Sequence, residues 1–436
     1  MSSPTPSEAF SRILRRGQAE RRLPSVSAAV FQRGEVVWAE AVGLADVEGA
    51  DPTTPETQYR IGSITKVFTT IVVLQLRDEG RLDLDDPLDR HLPGTPLGAL
   101  RLGDMLSHTS GLQRERPGID WERPVPLAAE ELLARLPEAE RVLPARRSWH
   151  YSNLAFDLLG TVVERVAEAA YRDYVDERVI GPLGLTRTTW QPAGPVARGY
   201  FVEPYADTVQ PQAPDDIGLG ASGQLWSTAS DVARLGQFLC EPDASVLVPE
   251  TVADMHLVQG MSDSGGWTSG YGLGLQLFRR GERVFAGHTG GMPGFAAVLS
   301  YARRERVGSV VLTSSGAPTG EPTGFLLTEQ ALELLPSEEW RPAAPPPEHL
   351  AALLGRWWSE GTEFVFSYRD GRLQARLAVA PEDAEPAVFE PEARDRLRTV
   401  SGRERGEPLA VERDEQGQVI RLLWATYPFT REPRAF

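Results

Sequence analysis

An α+β fold is predicted for most of this chain: an antiparallel sheet flanked by helices with a helical subdomain inserted, followed by a small all-β domain. Three observations lead there. Strand patterns lie near both ends of residues 1–336, amphipathic helical patterns fill the middle, and a proline-rich stretch sets off a tail that alternates like short strands. A length of 436 residues exceeds what one hydrophobic core usually serves. The expected division is a domain over 1–336, a stiff linker over 337–349 and a small β-barrel or sandwich over 350–436.

Val26 to Phe31 alternates small and apolar residues, then turns through Gln32-Arg33-Gly34 into Val36-Val37-Trp38, a β-hairpin. Arg283 to Ala286, Ala296 to Tyr301 and Val307 to Thr313 read as three more strands with tight connections. Thr65 to Arg77, Ala155 to Ala169 and Ala229 to Leu239 repeat apolar residues at helical spacing, and Phe325 to Leu335 reads as a closing helix. Pro342, Pro345, Pro346 and Pro347 stiffen the linker. Beyond it, Arg356-Trp357-Trp358, Glu363 to Tyr368, Arg372 to Leu377 and Val419 to Trp424 alternate, and Asp370-Gly371 is a hairpin signal.

A net charge of -16 argues against nucleic-acid and anionic-membrane partners, which need basic surface. No apolar run is long enough to span a bilayer. Met1 to Leu23 is polar and Arg-rich and does not read as a secretory signal, so a cytoplasmic location is expected. The single cysteine, Cys240, excludes an internal disulfide and a cysteine metal cluster, and its apolar run predicts a buried, inert thiol. His91, His108, His150, His256 and His349 show no metal-ligand spacing and read as surface or structural residues. No metal or organic cofactor is expected.

The chain contains one lysine, Lys66, and one asparagine, Asn153. Arginine cannot release its proton in a protein, whereas a partly buried lysine can, so a site needing an amine base keeps its lysine. Lys66 stands in Gly62-Ser63-Ile64-Thr65-Lys66, at the start of a helical pattern. Three residues of helix put Ser63 and Lys66 on one face, and the helix N-terminus favours a nucleophilic oxygen and a neutral amine. Taken alone, the pattern also fits a helix cap and a solvated charge.

Tyr151-Ser152-Asn153 precedes the second helical pattern. A tyrosine beside a lysine can relay its proton, and an asparagine can fix the amine or the substrate. Core packing and helix capping are the plainer readings. Gly287-His288-Thr289-Gly290-Gly291 follows a strand. Its glycines let a substrate backbone approach, and His288 is a candidate partner for Tyr151 or for a substrate carboxylate. An ordinary glycine turn is the alternative.

In this order the three sets resemble the penicillin-recognising serine hydrolases: Ser-x-x-Lys, Tyr-x-Asn, then Lys-Thr-Gly or His-Thr-Gly. The resemblance is to the branch of class C β-lactamases, β-lactamase-like (family VIII) esterases and D-aminopeptidases. It covers about Pro24 to Leu335 and extends to Leu106–Leu112, Ser222–Val232 and Tyr271–Leu275. It implies a β-lactamase/transpeptidase-like catalytic domain and, more weakly, a lipocalin-like tail. It also implies that Ser63 is the acylated nucleophile, with Lys66 and Tyr151 as proton-handling residues. Asn153, His288, Thr289 and Gly290 would bind substrate, and the backbone N–H groups of Ser63 and Gly291 would form the oxyanion hole.

The expected activity is a serine hydrolase, first a carboxylesterase, acting on a small ester, amide or short peptide. The alternatives are a D-amino-acid-specific aminopeptidase or carboxypeptidase, a weak β-lactamase, and a non-catalytic scaffold. With His288 in place of the β-lactamase lysine, a neutral imidazole binds a carboxylate more weakly than an ammonium does, so efficient β-lactam hydrolysis is not expected. The loops Gln113 to Pro126 and Tyr200 to Leu219 are expected to shape the pocket, and homo-oligomerisation is left open.

Overall fold

The computed structural model describes residues 4–119, 128–212, 220–316, 320–336, 342, 344–381 and 384–433. The chain divides into two compact units, Met1–Pro336 and Ser337–Phe436.

In the first unit, helix α1 (Pro6–Glu20) leads into β1 (Ser25–Gln32), β2 (Glu35–Asp46) and the short β3 (Asp51–Pro52). The middle holds α2 (Thr65–Asp78), α3 (Asn153–Ala167) and α4 (Ala229–Cys240), with shorter helical turns between them. Strands β4 (Gly260–Met261), β5 (Ser269–Tyr271), β6 (Gln276–Arg280), β7 (Arg283–Met292), β8 (Phe295–Ala302) and β9 (Val307–Thr313) follow, then α5 (Gly320–Leu334). The nine strands form one antiparallel sheet in the order β3-β2-β1-β9-β8-β7-β6-β5-β4. The N-terminal hairpin therefore meets the C-terminal strands through the β1–β9 ladder, where Val26 pairs with Thr313 and Gln32 with Val307.

Period-two alternation buries both faces of β1. Val26, Ala28 and Val30 pack with Phe10 and Leu14 of α1 and Leu327 and Ala331 of α5. Ala29 and Phe31 face the larger core, which gathers α2, α3 and α4. Helix α2 buries all of Thr65 to Leu76, so it runs through that core and carries Lys66 inside with it. Tyr59–Arg60 pairs with Trp226–Ser227, bringing the approach to Ser63 beside the segment that contains Ser222.

Three expectations shift. Strand β7 continues through His288 to Met292, so the glycine-rich motif lies within a strand. The ladder to β8, which pairs Gly291 with Ala296, holds it extended. Helix α3 begins at Asn153, because Ser152 accepts from the Ala155 N–H at 3.1 Å and is the cap. Helix α5 begins at Gly320. Parts of the two loops expected to shape the pocket, 120–127 and 213–219, lie outside the described residues, as do 337–341 and Ala343 of the linker. Among the described residues no helix is long and apolar enough to cross a membrane.

In the second unit, eight strands run from Gly355–Ser359 to Tyr427–Phe429 as an antiparallel meander in sequence order. Backbone hydrogen bonds of 2.8 and 2.9 Å between Trp358 and Thr430 link its first strand to the chain just past its last, nearly closing a barrel. Trp357, Phe366, Phe389, Trp424 and Phe429 fill the interior.

Candidate active site

The serine and the lysine come from one stretch of chain. A 3₁₀ turn, Gly62–Ile64, runs directly into α2, leaving Ser63 half-buried at the rim and Lys66 fully buried one turn below. Lys66 Nζ lies 3.1 Å from Ser63 Oγ, 2.7 Å from Asn153 Oδ1 and 2.6 Å from the Ser222 carbonyl. Burial drives its pKa down to about 7, against the opposing pull of the Asp157 and Glu115 carboxylates.

The hydrogen-bond inventory orients this amine. The Ser222 carbonyl can only accept. Asn153 turns its Nδ2 to Glu115 Oε1 at 2.8 Å, so the oxygen faces Lys66 and it too can only accept. A neutral amine has two N–H bonds and one lone pair. Asn153 and Ser222 take both N–H bonds, and the lone pair is left for the Ser63 hydroxyl.

Tyr151 hydrogen-bonds the Ser63 side chain, and burial pushes its hydroxyl well above the ordinary tyrosine range. Lys66 Nζ and the Arg114 guanidinium each lie 5.0 Å from its ring centroid, and the His108 ring packs on it at 4.2 Å. Burial thus favours the neutral amine of Lys66 and the neutral phenol of Tyr151.

Close backbone packing brings the turn that carries Ser63 against the Gly290–Gly291 stretch of β7. Gly62 has φ +51°, and a Cβ there would meet the Gly291 nitrogen at 2.7 Å. A Cβ on Gly290 would lie 1.9 Å from the Ile61 carbonyl and 3.2 Å from the Ser63 nitrogen. Only glycine lets β7 approach the serine turn this closely. Strand alternation sends the Thr289 and Gly291 N–H groups to the same edge of β7. The Thr289 N–H is capped by Gln276 Oε1 at 2.9 Å, while Gly291, two residues on, is exposed beside the Ser63 turn.

His288 does not bond Tyr151. Its Nδ1 donates to the Thr289 carbonyl at 2.6 Å, so Nε2 is the acceptor, taking the Tyr271 hydroxyl at 2.8 Å. Burial lowers its pKa to about 3, so the ring is neutral and both nitrogens are occupied. The expected contact of this ring with a substrate carboxylate gives way to a structural pair inside the sheet. The Thr289 hydroxyl accepts from Gln276 Nε2 at 3.2 Å and keeps its own proton for a ligand.

The sequence did not single out Glu115, Asp157, Arg114 or Gln276 and named Ser222 only within the Ser222–Val232 stretch, whereas His108, expected to be a surface or structural residue, packs buried against Tyr151. Glu115 and Asp157 look like ordinary surface acids in a chain with 61 of them, and it is the hydrogen bonds of Glu115 to Asn153 and of Asp157 to Ser222 that mark them. Asp157 falls four residues after Asn153, on the same helical face, which was the one legible signal.

The Beta-lactamase family model matches residues 10–332. A second model, a domain of unknown function (DUF7586), matches 346–431. Beta-lactamase-like protein 2 of Dictyostelium discoideum is 28% identical over 346 residues, covering 74% of this chain and 61% of its own length. The chain thus spans less than two-thirds of that relative. A human beta-lactamase-like protein is 30% identical over 371 residues, covering 78% of this chain and 72% of its own length. Among solved structures, an octameric penicillin-binding protein homologue from Pyrococcus abyssi covers 97% of this chain and 99% of its own, with TM-score 0.66 and 24% identity. A D-amino acid amidase from Ochrobactrum anthropi covers 76% and 97%, with TM-score 0.65 and 24% identity. At that identity these two structures speak to the fold alone. It is the family model, spanning about three-quarters of the sequence and including every residue assembled around Ser63, that shows this chain belongs to the Beta-lactamase family.

Proposed function

We propose that this chain is a serine hydrolase that cleaves small esters or amides through an acyl-enzyme on Ser63, with carboxylester hydrolysis as its principal reaction. The observation that carries this reading is the 3.1 Å contact of Lys66 Nζ with Ser63 Oγ, with Asn153 Oδ1 and the Ser222 carbonyl, both acceptors, as its other partners. Ser63 Oγ attacks the carbonyl carbon as its proton passes to Lys66 Nζ. The carbonyl π pair moves to oxygen, facing the Ser63 and Gly291 N–H groups. Each such donor contributes roughly 2.7–4 kcal/mol in comparable sites. Tyr151 then gives its proton to the leaving oxygen or nitrogen and regains one from the Lys66 ammonium. Water attacks the acyl-enzyme by the reverse proton path, and Ser63 is released. Incubation with a fluorophosphonate should add one mass adduct to the wild type and none to Ser63→Ala. Absence of an adduct on folded protein would point instead to a non-catalytic scaffold.

One observation favours a second substrate class. Glu115 places a carboxylate beside Asn153 and partly buried, where a substrate ammonium would find a partner. The neighbours include the Ochrobactrum D-amino acid amidase and a Streptomyces D-stereospecific amidohydrolase, the latter 25% identical with TM-score 0.64. Hydrolysis of D-amino-acid amides or peptides is the reading this supports. Comparing D-phenylalanine amide with p-nitrophenyl acetate tests it. Glu115→Gln should lower kcat/KM for the amino amide by roughly tenfold or more, the worth of a hydrogen bond to a charged group, relative to the neutral ester. Equal losses on both would remove Glu115 from substrate recognition. Efficient β-lactam turnover is not expected, because His288 offers no cation to a β-lactam carboxylate.

A further inference from the structure

Lys66 is held by two acceptors, and each acceptor is backed by a carboxyl group. Asn153 leans on Glu115, and Ser222 leans on Asp157. The two acids differ in place. Glu115 is partly exposed at the rim, whereas Asp157 is buried inside α3. Its carboxyl accepts from both the side chain and the backbone N–H of Ser222, whose carbonyl lies 2.6 Å from Lys66 Nζ. Next to Ser222, the Ala221 carbonyl accepts from Thr69 of α2 at 2.7 Å, so the segment is tied to the lysine's own helix. Among the described residues, the charged and titratable groups facing Asp157 include Lys66 on α2, Arg116 and Glu115 on the loop before α3, and Tyr171 beyond it.

We infer that Asp157 is a positioning residue for the reaction. It holds the Ser222 carbonyl on Lys66 Nζ and supplies the buried negative charge that compensates the ammonium formed when Lys66 takes the Ser63 proton. The inference rests on Lys66 being the base of the proposed acylation. During that step the Ser63 O–H bond breaks and an Nζ–H bond forms, so a positive charge appears in a site without bulk water. An uncompensated buried charge is costly, and Asp157 lies where the compensation is needed. Direct contact with substrate is no part of its role.

The sign of its effect on the lysine is definite. Burial raises the pKa of Asp157 itself, opposed by its hydrogen bonds from Ser222 and by the Arg116 and Lys66 charges; once ionised, its carboxylate favours the ammonium and so raises the lysine pKa against the downward pull of burial. Replacing it with a neutral amide leaves burial unopposed. The amine then persists to lower pH but is a weaker base.

Because Lys66 is the sole lysine, 13Cε-lysine labelling yields one resonance, and its titration reads this amine without any substrate. In Asp157→Asn the midpoint should fall by about one unit or more, the usual effect of losing a nearby opposite charge. The acidic limb of kcat/KM should move down with it, while its plateau drops roughly tenfold or more and KM changes little, as expected of a weaker base. Ser222→Ala, which retains the carbonyl and the Asp157 charge, should leave the midpoint nearly in place. An unmoved midpoint in folded Asp157→Asn would overturn the inference, because a merely structural role lowers activity at every pH without shifting the titration. If that variant does not fold, the wild type decides: its lysine resonance should show a second inflection as Asp157 protonates, and a single inflection would refute the coupling. A shifted titration in a protein that no acylating reagent labels would instead sink the proposed hydrolase while sparing the Asp157–Lys66 pair.

Discussion

Arginine replaces lysine everywhere else in this chain, and at position 66 it would end the proposed proton transfer. Its guanidinium cannot yield a proton, so it offers no lone pair to Ser63. Lys66→Arg should therefore lower fluorophosphonate labelling and ester turnover by roughly 10²–10⁴-fold, the usual worth of a general base. Near-normal labelling of the folded variant would remove Lys66 from proton transfer. The pH dependence follows from the same residue. Below a pKa of about 7 the amine is protonated and idle, so kcat/KM should rise as pH increases through that value. At high pH the loss of the Tyr151 proton should bring it down again, above the ordinary tyrosine range because burial raises that group. A profile flat from pH 5 to 9 would contradict the assignment; these limits are roughly the window over which such a lysine titrates.

At the scale of elements, the site depends on how closely β7 approaches the turn before α2. Gly290 and Gly291 are adjacent glycines with opposite tolerances. A Cβ at 290 would lie 1.9 Å from the Ile61 carbonyl, whereas one at 291 meets no protein atom within 4 Å. Gly290→Ala should push the strand away from Ser63 and cost on the order of 10²-fold in kcat, since displacements near 1 Å have that effect. Gly291→Ala should fold without displacement. Comparable crystal structures of the two variants, both with an unmoved strand, would refute the packing argument. Helix α3 is anchored by Ser152, which accepts from Ala155 N–H and donates to the Gln113 carbonyl at 2.6 Å. Ser152→Ala should cost about 1 kcal/mol of stability through the lost cap. Because Tyr151 and Asn153 flank that cap, denaturation midpoints and activity measured together would show whether the loss also loosens the site.

Over the whole molecule, each unit carries its own core, and the aromatic interior of the second contains none of the residues around Ser63. Trp357 is completely buried there, donates to the Leu353 carbonyl at 2.7 Å and carries the Arg431 guanidinium 3.9 Å from its ring. Trp357→Ala should destabilise Ser337–Phe436 by about 3–5 kcal/mol. In calorimetry, a transition assigned to that unit should move to lower temperature while Ser63 labelling is retained. One transition shared by both units, shifting as a whole, would contradict independent folding.

Much of this was legible before the fold was known. Ser63 and Lys66 are three residues apart on a helix, a local relation that periodicity encodes, and the hairpins and helices followed from the same short-range patterns. The lone Lys66 and lone Asn153 marked two positions that meet at 2.7 Å although 87 residues separate them. Which atoms they present to each other was a tertiary matter. Glu115 turns the Asn153 amide, Ser222 arrives from 156 residues beyond Lys66, and Asp157 stands behind it. Tyr271 and Thr289 take the nitrogens of His288 that local reading offered to substrate. Composition and spacing determined the kinds of residue and their order along the chain, because these are local. Burial and hydrogen-bond partners decided their protonation and direction, because both depend on distant segments excluding water together.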